Sequence, residues 1–541
     1  MNSQHPDHIA ATQRIELEEL LQELSRRCAF PVPVDDVNVR QTHISIVFLA
    51  GGIVYKVKKP VKLPFLDFST VELRHHFCEE EIKVNRPWAP GVYQGVVPIT
   101  RESDGLRFEG SGPVVDWAVK MQQLPESATL RSRLHNGQLQ LANLERTAKR
   151  IAAVHNQACS MAPAAASAAD AEFRRYWAEN WKFAETLGAD ILHPDVLRRL
   201  SVLANEWIQR HKSTLLQRAL DGRIGDVHGD LRLEHIFLFP ERPSPNDIVI
   251  IDGIEFSESL RRIDLVADIA FLVMELSFAG RRDWALSFAA AWFSEMQDDT
   301  GTEILPLFAV YRSAIRGKVA ALLAAEPEAP EQARAAAIAR SRAHWLWCLS
   351  ELEVPDHRPA LILVSGLPGT GKSTLSRQLS DAAHFEVIRS DVVRKEIFAD
   401  NADNNAGLSS GELYSAENTQ RVYDVCRSRA QTQLLAGRRV LVDATFQREA
   451  NRQQFLQLAI DCGIRAIWIE CTAPVDVVRR RLEARRGDAS DADWSIYELV
   501  RKQWEPGSEF TGRYHAAVAS ADDSDRALKS ACDILTAHGL R

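Results

Sequence analysis

The sequence LILVSGLPGTGKST, at residues 361–374, is the strongest indication of the fold of the second half of the chain. Its apolar start, residues 361–364, predicts a buried parallel strand. Residues 366–373 then match the spacing of glycine, four residues, Gly-Lys and Ser or Thr. Such a loop turns its backbone N–H groups toward a phosphate, and the following helix presents its positive N-terminus to the same anion. The stretch therefore predicts that this part of the chain binds a nucleoside triphosphate.

Each residue type in this loop has a chemical task. Lys372 would reach the β- and γ-phosphates of ATP, and the Ser373 hydroxyl would bind Mg²⁺. A glycine-rich turn that binds nothing is the alternative, but the strand, loop and helix signals all occur in register. We therefore predict ATP and Mg²⁺ as cofactors, with the loop ligands Gly366, Gly369, Thr370, Gly371, Lys372, Ser373 and Thr374.

Length and composition limit the possible classes of protein. A chain of 541 residues exceeds one ordinary hydrophobic core, so we expect about two to four domains. The net charge of −8 gives no electrostatic reason to expect a general nucleic-acid or membrane partner. Eight cysteines are scattered without a CxxC pair, which is typical of a reducing compartment and argues against a structural zinc site. Without an apolar signal segment or a membrane-spanning run, we expect a soluble cytoplasmic protein.

Strand and helix signals alternate after residue 360. The alternation predicts an α/β domain with a parallel sheet covered on both faces. Residues 351–359 (ELEVPDHRP) carry two prolines and several charges and predict a linker, so the predicted domains are 1–350 and 360–541. The predicted strands are 361–364, 385–388, 439–442 and 466–471, and the predicted helices are 373–382, 415–435, 447–460, 475–486 and 492–503.

The first half contains both helix and strand signals. The β-rich runs 46–49 and 53–57 flank Ala-Gly-Gly and predict a hairpin, whose period of two places Lys56 and Lys58 on one face. The Ala-rich stretch 158–171, which includes Pro163, is expected to be a loop or a poorly ordered crossover. The other elements that we predict are helices at 12–26, 71–86, 172–220, 262–274 and 282–348, a strand at 117–122, and apolar strands within 228–238 and 248–256.

Four separated motifs of the first half carry charged residues that suit phosphoryl transfer. They are VYKVKK around Lys56, CEEEIKVNR around Glu81, HGDL around Asp230 and VIIDGIEF around Asp252. In this order they resemble the aminoglycoside phosphotransferase-like branch of the protein-kinase-like fold, and the resemblance covers residues 41–270. It implies an α+β domain in which Lys56 holds the α- and β-phosphates and pairs with Glu81, with Glu79 or Glu80 as alternative partners.

The same resemblance assigns tasks to the aspartates. Asp230 would be the catalytic aspartate that accepts or orients the proton of the acceptor hydroxyl. Asp252 would bind the metal, Asp268 would support the catalytic loop, and residues 121–124 would meet adenine. Catalysis of this kind depends mostly on positioning and on charge neutralisation by lysine and Mg²⁺.

Two features of the first half depart from the family pattern. His235 stands five residues after Asp230, where the family has an asparagine that holds a second Mg²⁺. We keep His235 as a metal-ligand candidate, although imidazole suits a hard cation less well than oxygen does. The segment 41–45, at the position of the nucleotide loop, contains no glycine. These departures keep open a second hypothesis, in which the first half is a catalytically degenerate module that regulates the second.

Residues 360–541 resemble small P-loop kinases, especially the zeta-toxin-like and polynucleotide-kinase-like group. By this resemblance Asp391, in Arg-Ser-Asp after a predicted strand, is the general-base candidate, although it could also be the N-cap of a helix at 392–398. Asp443 resembles the acidic residue that supports Mg²⁺, and Thr445 is a weaker candidate for phosphate or acceptor contact. Arg481 and Arg485, four residues apart, resemble lid arginines that neutralise the transferred phosphoryl group.

Together these features predict an ATP-dependent phosphotransferase with two domains, each of which transfers the γ-phosphoryl group to a hydroxyl. A small-molecule acceptor is favoured over a nucleic-acid 5′ end. Residues 360–541 hold 24 Lys and Arg against 25 Asp and Glu, a net charge of −1, so a basic nucleic-acid surface is not expected there. The sequence does not identify either acceptor.

Overall fold

The computed structural model describes residues 17–63, 66–158, 162–326, 329–399, 415–484, 493–520 and 523–541. The chain divides into two compact units. The first unit comprises Met1–Phe173, Ser213–Ser277 and Arg281–Leu305, and the second comprises Arg174–Lys212, Phe278–Gly280 and Pro306–Arg541. No helix within these described ranges is both long and apolar enough to cross a bilayer.

The division into units differs from the predicted linker at 351–359. Helix Glu331–Leu352 packs against helix Pro194–Arg210, and the indole Nε1 of Trp207 donates to the carbonyl oxygen of Leu352 at 2.8 Å. Because of such contacts, these two helices belong to the second unit, although the sequence assigns them to the first domain. The domains 1–350 and 360–541 remain a prediction about which segments fold independently.

The first unit is built on a six-stranded antiparallel sheet in the order β1-β2-β3-β8-β6-β7. The strands up to residue 264 are β1 Val37–Gln41, β2 Ser45–Ala50, β3 Ile53–Lys58, β4 Lys62–Leu63, β5 Leu66–Asp67, β6 Tyr93–Glu102, β7 Gly105–Phe108, β8 Val114–Gln122, β9 Ile224–Asp226, β10 Ile236–Leu238, β11 Ile248–Ile250 and β12 Arg262–Asp264. The predicted hairpin is confirmed as β2 and β3, and Gly51 and Gly52 turn it with positive φ angles of 59° and 82°. Tyr55 and Val57 enter the apolar core, which leaves Lys56 and Lys58 on the opposite face.

Eleven α-helices lie between residues 17 and 324 in the described ranges. Residues 163–171 of the Ala-rich stretch are helical and not the expected loop or crossover, because a helix begins at Pro163, whereas residues 159–161 lie outside the described residues. Proline is well tolerated at the first helical position, and alanine has the highest helix propensity. The helices are Leu17–Leu24, Val71–Asn85, Leu130–His135, Leu141–His155, Pro163–Ala184, Pro194–Arg210, Lys212–Leu220, Glu258–Arg261, Leu265–Phe278, Arg282–Met296 and Gly301–Ala324.

One buried arginine links three segments of the first unit. Arg218 is 1% exposed, and its guanidinium donates two hydrogen bonds to Asp264, at 2.8 and 2.9 Å. It donates two more to Asp298, at 2.7 and 2.8 Å, and one to Thr300 at 2.7 Å. Burial alone would lower the pKa of Arg218, but the two carboxylates raise it above the ordinary value. The group is therefore a buried charge network in which one arginine bonds to two carboxylates.

The second unit contains a five-stranded parallel sheet in the order β14-β15-β13-β16-β17. Its strands are β13 Ala360–Ser365, β14 Glu386–Arg389, β15 Arg439–Asp443, β16 Arg465–Thr472 and β17 His515–Ala519. Every residue of β13 is buried, as its apolar sequence predicts for a central parallel strand. The four predicted strands are confirmed within one or two residues, whereas β17 was not predicted.

The helices predicted at 373–382, 415–435, 447–460, 475–486 and 492–503 are present, whereas Glu509–Gly512 and Ser524–Ala537 were not predicted. The helix predicted at 492–503 begins at Trp494, because the side chain of Asp493 caps it by accepting from the backbone N–H of Ile496 at 3.0 Å. The remaining helices are Glu331–Leu352, Lys372–Ala383, Ser390–Ala399, Ala416–Leu435, Glu449–Asp461, Val475–Glu483, Trp494–Lys502, Glu509–Gly512 and Ser524–Ala537.

Candidate functional site

The glycine-rich loop of the second unit connects β13 to helix Lys372–Ala383. Gly366, Gly369 and Gly371 have positive φ angles of 139°, 78° and 93°. A Cβ atom on Gly366 would lie 2.4 Å from the carbonyl oxygen of Cys471, so no larger residue fits there without a shift of the backbone. The loop is thus closely packed in the conformation that its glycines permit, at the carboxyl end of the central strand.

Polar side chains hold this loop at the start of the helix. Lys372 is the first helical residue, and its Nζ donates to the carbonyl oxygen of Leu367 at 3.0 Å. Thr370 Oγ1 donates to the same oxygen at 2.7 Å, and Ser520 Oγ donates to the Thr370 carbonyl. The helix N-terminus and the Lys372 ammonium therefore give one end of the loop a positive character that suits phosphate.

Asp443 ends β15, the strand beside β13, where its register partner is Val364. Its carboxylate is 5% exposed, interacts with the Ser373 hydroxyl and lies 3.5 Å from the Nε of Arg389. Burial raises the pKa of Asp443 above its ordinary value, although Lys372, the Ser373 hydrogen bond and Arg389 act against this. The structure thus brings Ser373 and Asp443, both predicted metal ligands, to one place.

Asp391 follows β14, and its neighbour Arg389 is paired in register with Asp443. Helix Ser390–Ala399 begins before Asp391, so the predicted N-cap role at 392–398 is not what the structure shows. Asp391 thus lies just past the carboxyl end of β14, the strand beside β15, and its negative charge contributes to the raised pKa of Asp443. Two carboxylates and the phosphate loop therefore share the carboxyl edge of the sheet, where ligands of such sheets bind.

The predicted lid arginines differ in what the structure describes. Arg481 belongs to helix Val475–Glu483, and its Nη1 lies 3.5 Å from the carbonyl oxygen of Gly369 in the phosphate loop. Arg485 lies outside the described residues. Arg481 is thus close enough to the loop to meet a bound phosphate.

In the first unit, Lys56 of β3 meets two carboxylates. Its Nζ lies 2.8 Å from Glu81 Oε1 and 2.8 Å from Asp252 Oδ1. The alternative partners Glu79 and Glu80 instead lie near His75 and Lys83. Burial would raise the pKa of Asp252, but Lys56 outweighs burial and holds that pKa well below the ordinary value. Three of the residues predicted from separate motifs therefore form one ion-paired site.

Asp230 lies in a loop that other side chains hold. Asp268 accepts hydrogen bonds from the backbone N–H groups of His228 and Gly229, at 3.2 and 2.8 Å, which fits its expected supporting role. The Nδ1 of His235 lies 2.9 Å from the carbonyl oxygen of Asp230, so Nδ1 carries the proton and donates it to that oxygen. In neutral His235 the remaining Nε2 is then an acceptor.

Comparison with known proteins gives a family model that matches part of the second unit and relatives that match most of the chain. The family model described as an AAA domain matches residues 361–506. Uncharacterized protein Rv2004c of Mycobacterium tuberculosis is 30% identical over 488 residues, which cover 88% of this chain and 93% of that protein. The chain belongs to the family of this mycobacterial protein. In this family member the glycine-rich loop, parallel sheet and matched model together identify the second unit as carrying a P-loop domain.

Solved structures align with about a third of this family member. A putative kinase from Chloroflexus aurantiacus is 23% identical, with a TM-score of 0.27, and the match covers 34% of this chain and 98% of that chain. The Mycobacterium tuberculosis APS kinase in complex with AMPPNP and APS is 18% identical, with a TM-score of 0.24, and the match covers 33% and 98%.

The candidate metal ligands differ in donor chemistry. Ser373 and Asp443 supply the oxygen donors that Mg²⁺ prefers, and Mg²⁺ usually takes one or two protein carboxylates and completes its shell with phosphate and water. Asp252 also supplies oxygen, whereas His235 supplies nitrogen and fits Mg²⁺ less well. In the part of the chain that the structure describes, no three His, Cys, Asp or Glu side chains group into a ready metal site.

Asn85 was not predicted and links two parts of the first-unit site. Its Oδ1 accepts from the backbone N–H of Gly253 at 2.8 Å, and its Nδ2 donates to the carbonyl oxygen of Glu81 at 2.8 Å. Asn85 is one helical turn after Glu81, and Gly253 follows Asp252. A polar residue one turn beyond a candidate glutamate, at a buried helical position, is the only sequence signal that could have indicated it.

Replacing Asn85 by leucine is expected to lower the free energy of unfolding of the first unit by about 1–3 kcal/mol. The side chain is fully buried, so the Gly253 N–H would lose its partner away from water. Hydrogen exchange of backbone amides in helix Val71–Asn85 measures the loss. Asn38→Leu, on the exposed side of β1, is the matched control and should change little. If the amides of helix Val71–Asn85 are equally protected from hydrogen exchange in both variants, the prediction is wrong.

Proposed function

We propose that the P-loop domain is an ATP-dependent phosphotransferase that acts on a hydroxyl of a small molecule. The observation that carries the proposal is the meeting of the phosphate loop, Asp443 and Asp391 at the carboxyl edge of one parallel sheet. Asp443 beside Ser373 suits a metal site, and Asp391 is left to serve the acceptor. A carboxylate near a transferable phosphoryl group is what distinguishes a kinase from a domain that only binds nucleotide.

In the proposed reaction, the acceptor hydroxyl oxygen bonds to the γ-phosphorus of ATP while the bond from this phosphorus to the β,γ-bridging oxygen breaks, which releases ADP. The hydroxyl proton passes to a carboxylate oxygen of Asp391. Lys372 and Arg481 neutralise negative charge on the phosphoryl oxygens. Ser373 and Asp443 would hold Mg²⁺, which supplies further neutralisation of the β- and γ-phosphates.

We also propose that the first unit has a protein-kinase-like fold and a second phosphotransferase site. The Lys56–Glu81–Asp252 group supports this, because a lysine held by a glutamate on a neighbouring helix is poised for the α- and β-phosphates. Asp230 would accept the acceptor proton. The observation that favours a regulatory role instead is the bond from His235 to the Asp230 carbonyl, which commits one imidazole nitrogen to the loop itself. We expect both units to work in the reducing cytoplasm.

Two variants separate the two proposed activities. ATP turnover is measured for the full chain with a panel of hydroxylated metabolites and nucleic-acid 5′ ends. Lys372→Ala should remove the part of the turnover that belongs to the P-loop domain, and Asp230→Ala the part that belongs to the first unit. Lys529→Ala and Asp104→Ala, both exposed, are the matched controls.

Each result has a defined meaning. Loss of two separate acceptor-dependent activities supports two kinases. If Lys372→Ala removes all turnover and Asp230→Ala none, the first unit is a regulatory module. If Lys372→Ala leaves the acceptor-dependent turnover unchanged, the proposal for the P-loop domain is wrong.

A further inference from the structure

The ion pair of Lys56 is the outer part of a longer chain of charges. Glu81 uses its second oxygen, Oε2, to accept from Lys58 Nζ at 2.8 Å, and Lys58 also bonds to Glu255. The ion pairs connect Asp252, Lys56, Glu81, Lys58 and Glu255 in that order, so negative and positive side chains alternate. The two lysines of β3 thus share Glu81, and each also pairs with one carboxylate of the loop that follows β11.

The inner pair, Lys58 and Glu255, is buried, whereas the outer pair, Lys56 and Asp252, is partly exposed to solvent. The side chains of Lys58 and Glu81 are 0% exposed, and that of Glu255 is 7% exposed. Those of Lys56 and Asp252 are 16% and 36% exposed. Lys58 Nζ also lies 4.9 Å from the centroid of the Phe68 ring. Lys58 therefore cannot reach a ligand in the site, whereas Lys56 and Asp252 can.

We propose that Lys58 is a positioning residue for the nucleotide site of the first unit, acting through Glu81 and Glu255. The inference rests on the phosphate-binding role proposed above for Lys56. Lys58 fixes one oxygen of Glu81, so the other oxygen faces Lys56. It also holds Glu255, three residues after Asp252, and so fixes the turn on which Asp252 adopts the rare φ of 62°.

The second lysine also keeps Lys56 available for phosphate. Glu81 is wholly buried, and a buried carboxylate needs a compensating positive charge. If Lys56 were its only counter-charge, Glu81 would retain Lys56 and compete with the phosphates of ATP. Because Lys58 already compensates the charge of Glu81, the Lys56 ammonium can also form an ion pair with a ligand phosphate. Lys58 thus raises the affinity of the site for ATP without contacting the nucleotide.

The test measures Mg·ATP affinity of the first unit within the full chain. Lys372→Ala is the background, because it weakens the P-loop site. Lys58→Met/Glu255→Leu removes both inner charges without leaving Glu255 uncompensated, which protects folding. Lys58→Arg preserves the positive charge, and Lys56→Met is the reference for loss of the phosphate contact. Hydrogen exchange of β3 and helix Val71–Asn85 reports whether each variant is folded.

We expect Lys58→Met/Glu255→Leu to remain folded and to bind Mg·ATP at least about tenfold more weakly than the background. Lys58→Arg should recover most of this affinity, which a purely structural role of the buried pair does not predict. Unchanged affinity in the folded double variant would overturn the role of Lys58 while leaving the proposed function intact. If the background itself binds no Mg·ATP, and Lys56→Met changes nothing, both proposals for the first unit fail.

Discussion

Asp391→Asn is expected to slow phosphoryl transfer by the P-loop domain about 100- to 10,000-fold, the usual contribution of a general base. Asparagine has nearly the same size as aspartate but cannot accept the proton of the acceptor hydroxyl. The helix that carries the residue begins at Ser390, so its fold should not depend on the Asp391 charge. The rate is measured in single turnovers with saturating ATP in the Asp230→Ala background.

Mg·ATP affinity distinguishes this role from a role in nucleotide binding. We expect the affinity of Asp391→Asn to stay within about twofold, because the loss occurs only in the transition state. Asp381→Asn, exposed near the end of helix Lys372–Ala383, is the control and should keep the parent rate. A full transfer rate in Asp391→Asn would show that another group accepts the proton.

The largest stability effect is expected from Arg218→Met in the first unit, with a loss of about 3–5 kcal/mol in the free energy of unfolding. The variant leaves two buried carboxylates, Asp264 and Asp298, without the cation that donates four hydrogen bonds to them. Hydrogen exchange of the amides in β9 and β12 reports the change locally, because β12 contains Asp264 and pairs with β9.

A matched variant separates charge compensation from the loss of a large side chain. Arg218→Met/Asp264→Asn/Asp298→Asn removes all three charges but keeps the oxygens that accept from Val266 and Gly301. It should recover much of the lost stability, since the neutral variant leaves no buried carboxylate without a cation. If the triple variant is as unstable as Arg218→Met, packing of the arginine side chain contributes more to stability than its charge does.

The parallel sheet of the second unit was predictable because β13, β15 and β16 contain continuous apolar runs. β13 is buried over its whole length, and a short apolar run directly before a glycine-rich loop favours a buried strand. β17 was not predictable in this way. It reads HAAVA, and only Val518 in it is buried, so neither a β-branched run nor alternation marks it. It exists because β16 offers it a pairing edge, which is a tertiary effect.

The candidate sites show the same difference between local and long-range information. Lys56 and Glu81 come from separate motifs whose order predicted that they would meet, and they do. Lys58 and Glu255 are 197 positions apart, and neither has a neighbour in sequence that indicates the other. Pairing across such a sequence separation is fixed by the fold, which places the loop after β11 against β3. Such partners can be found only after the fold is known.

The strand that carries the phosphate loop gains its neighbours late during synthesis. β13 lies between β15 and β16, so both of its hydrogen-bonding partners emerge from the ribosome long after it does. The β2–β3 hairpin, in contrast, can pair as soon as it is made. Until residue 443 has been synthesised, the apolar strand 360–365 has no parallel strand to pair with. A growing chain must therefore shield this strand, by chaperones or by its own collapse, before the P-loop domain can bind its first nucleotide.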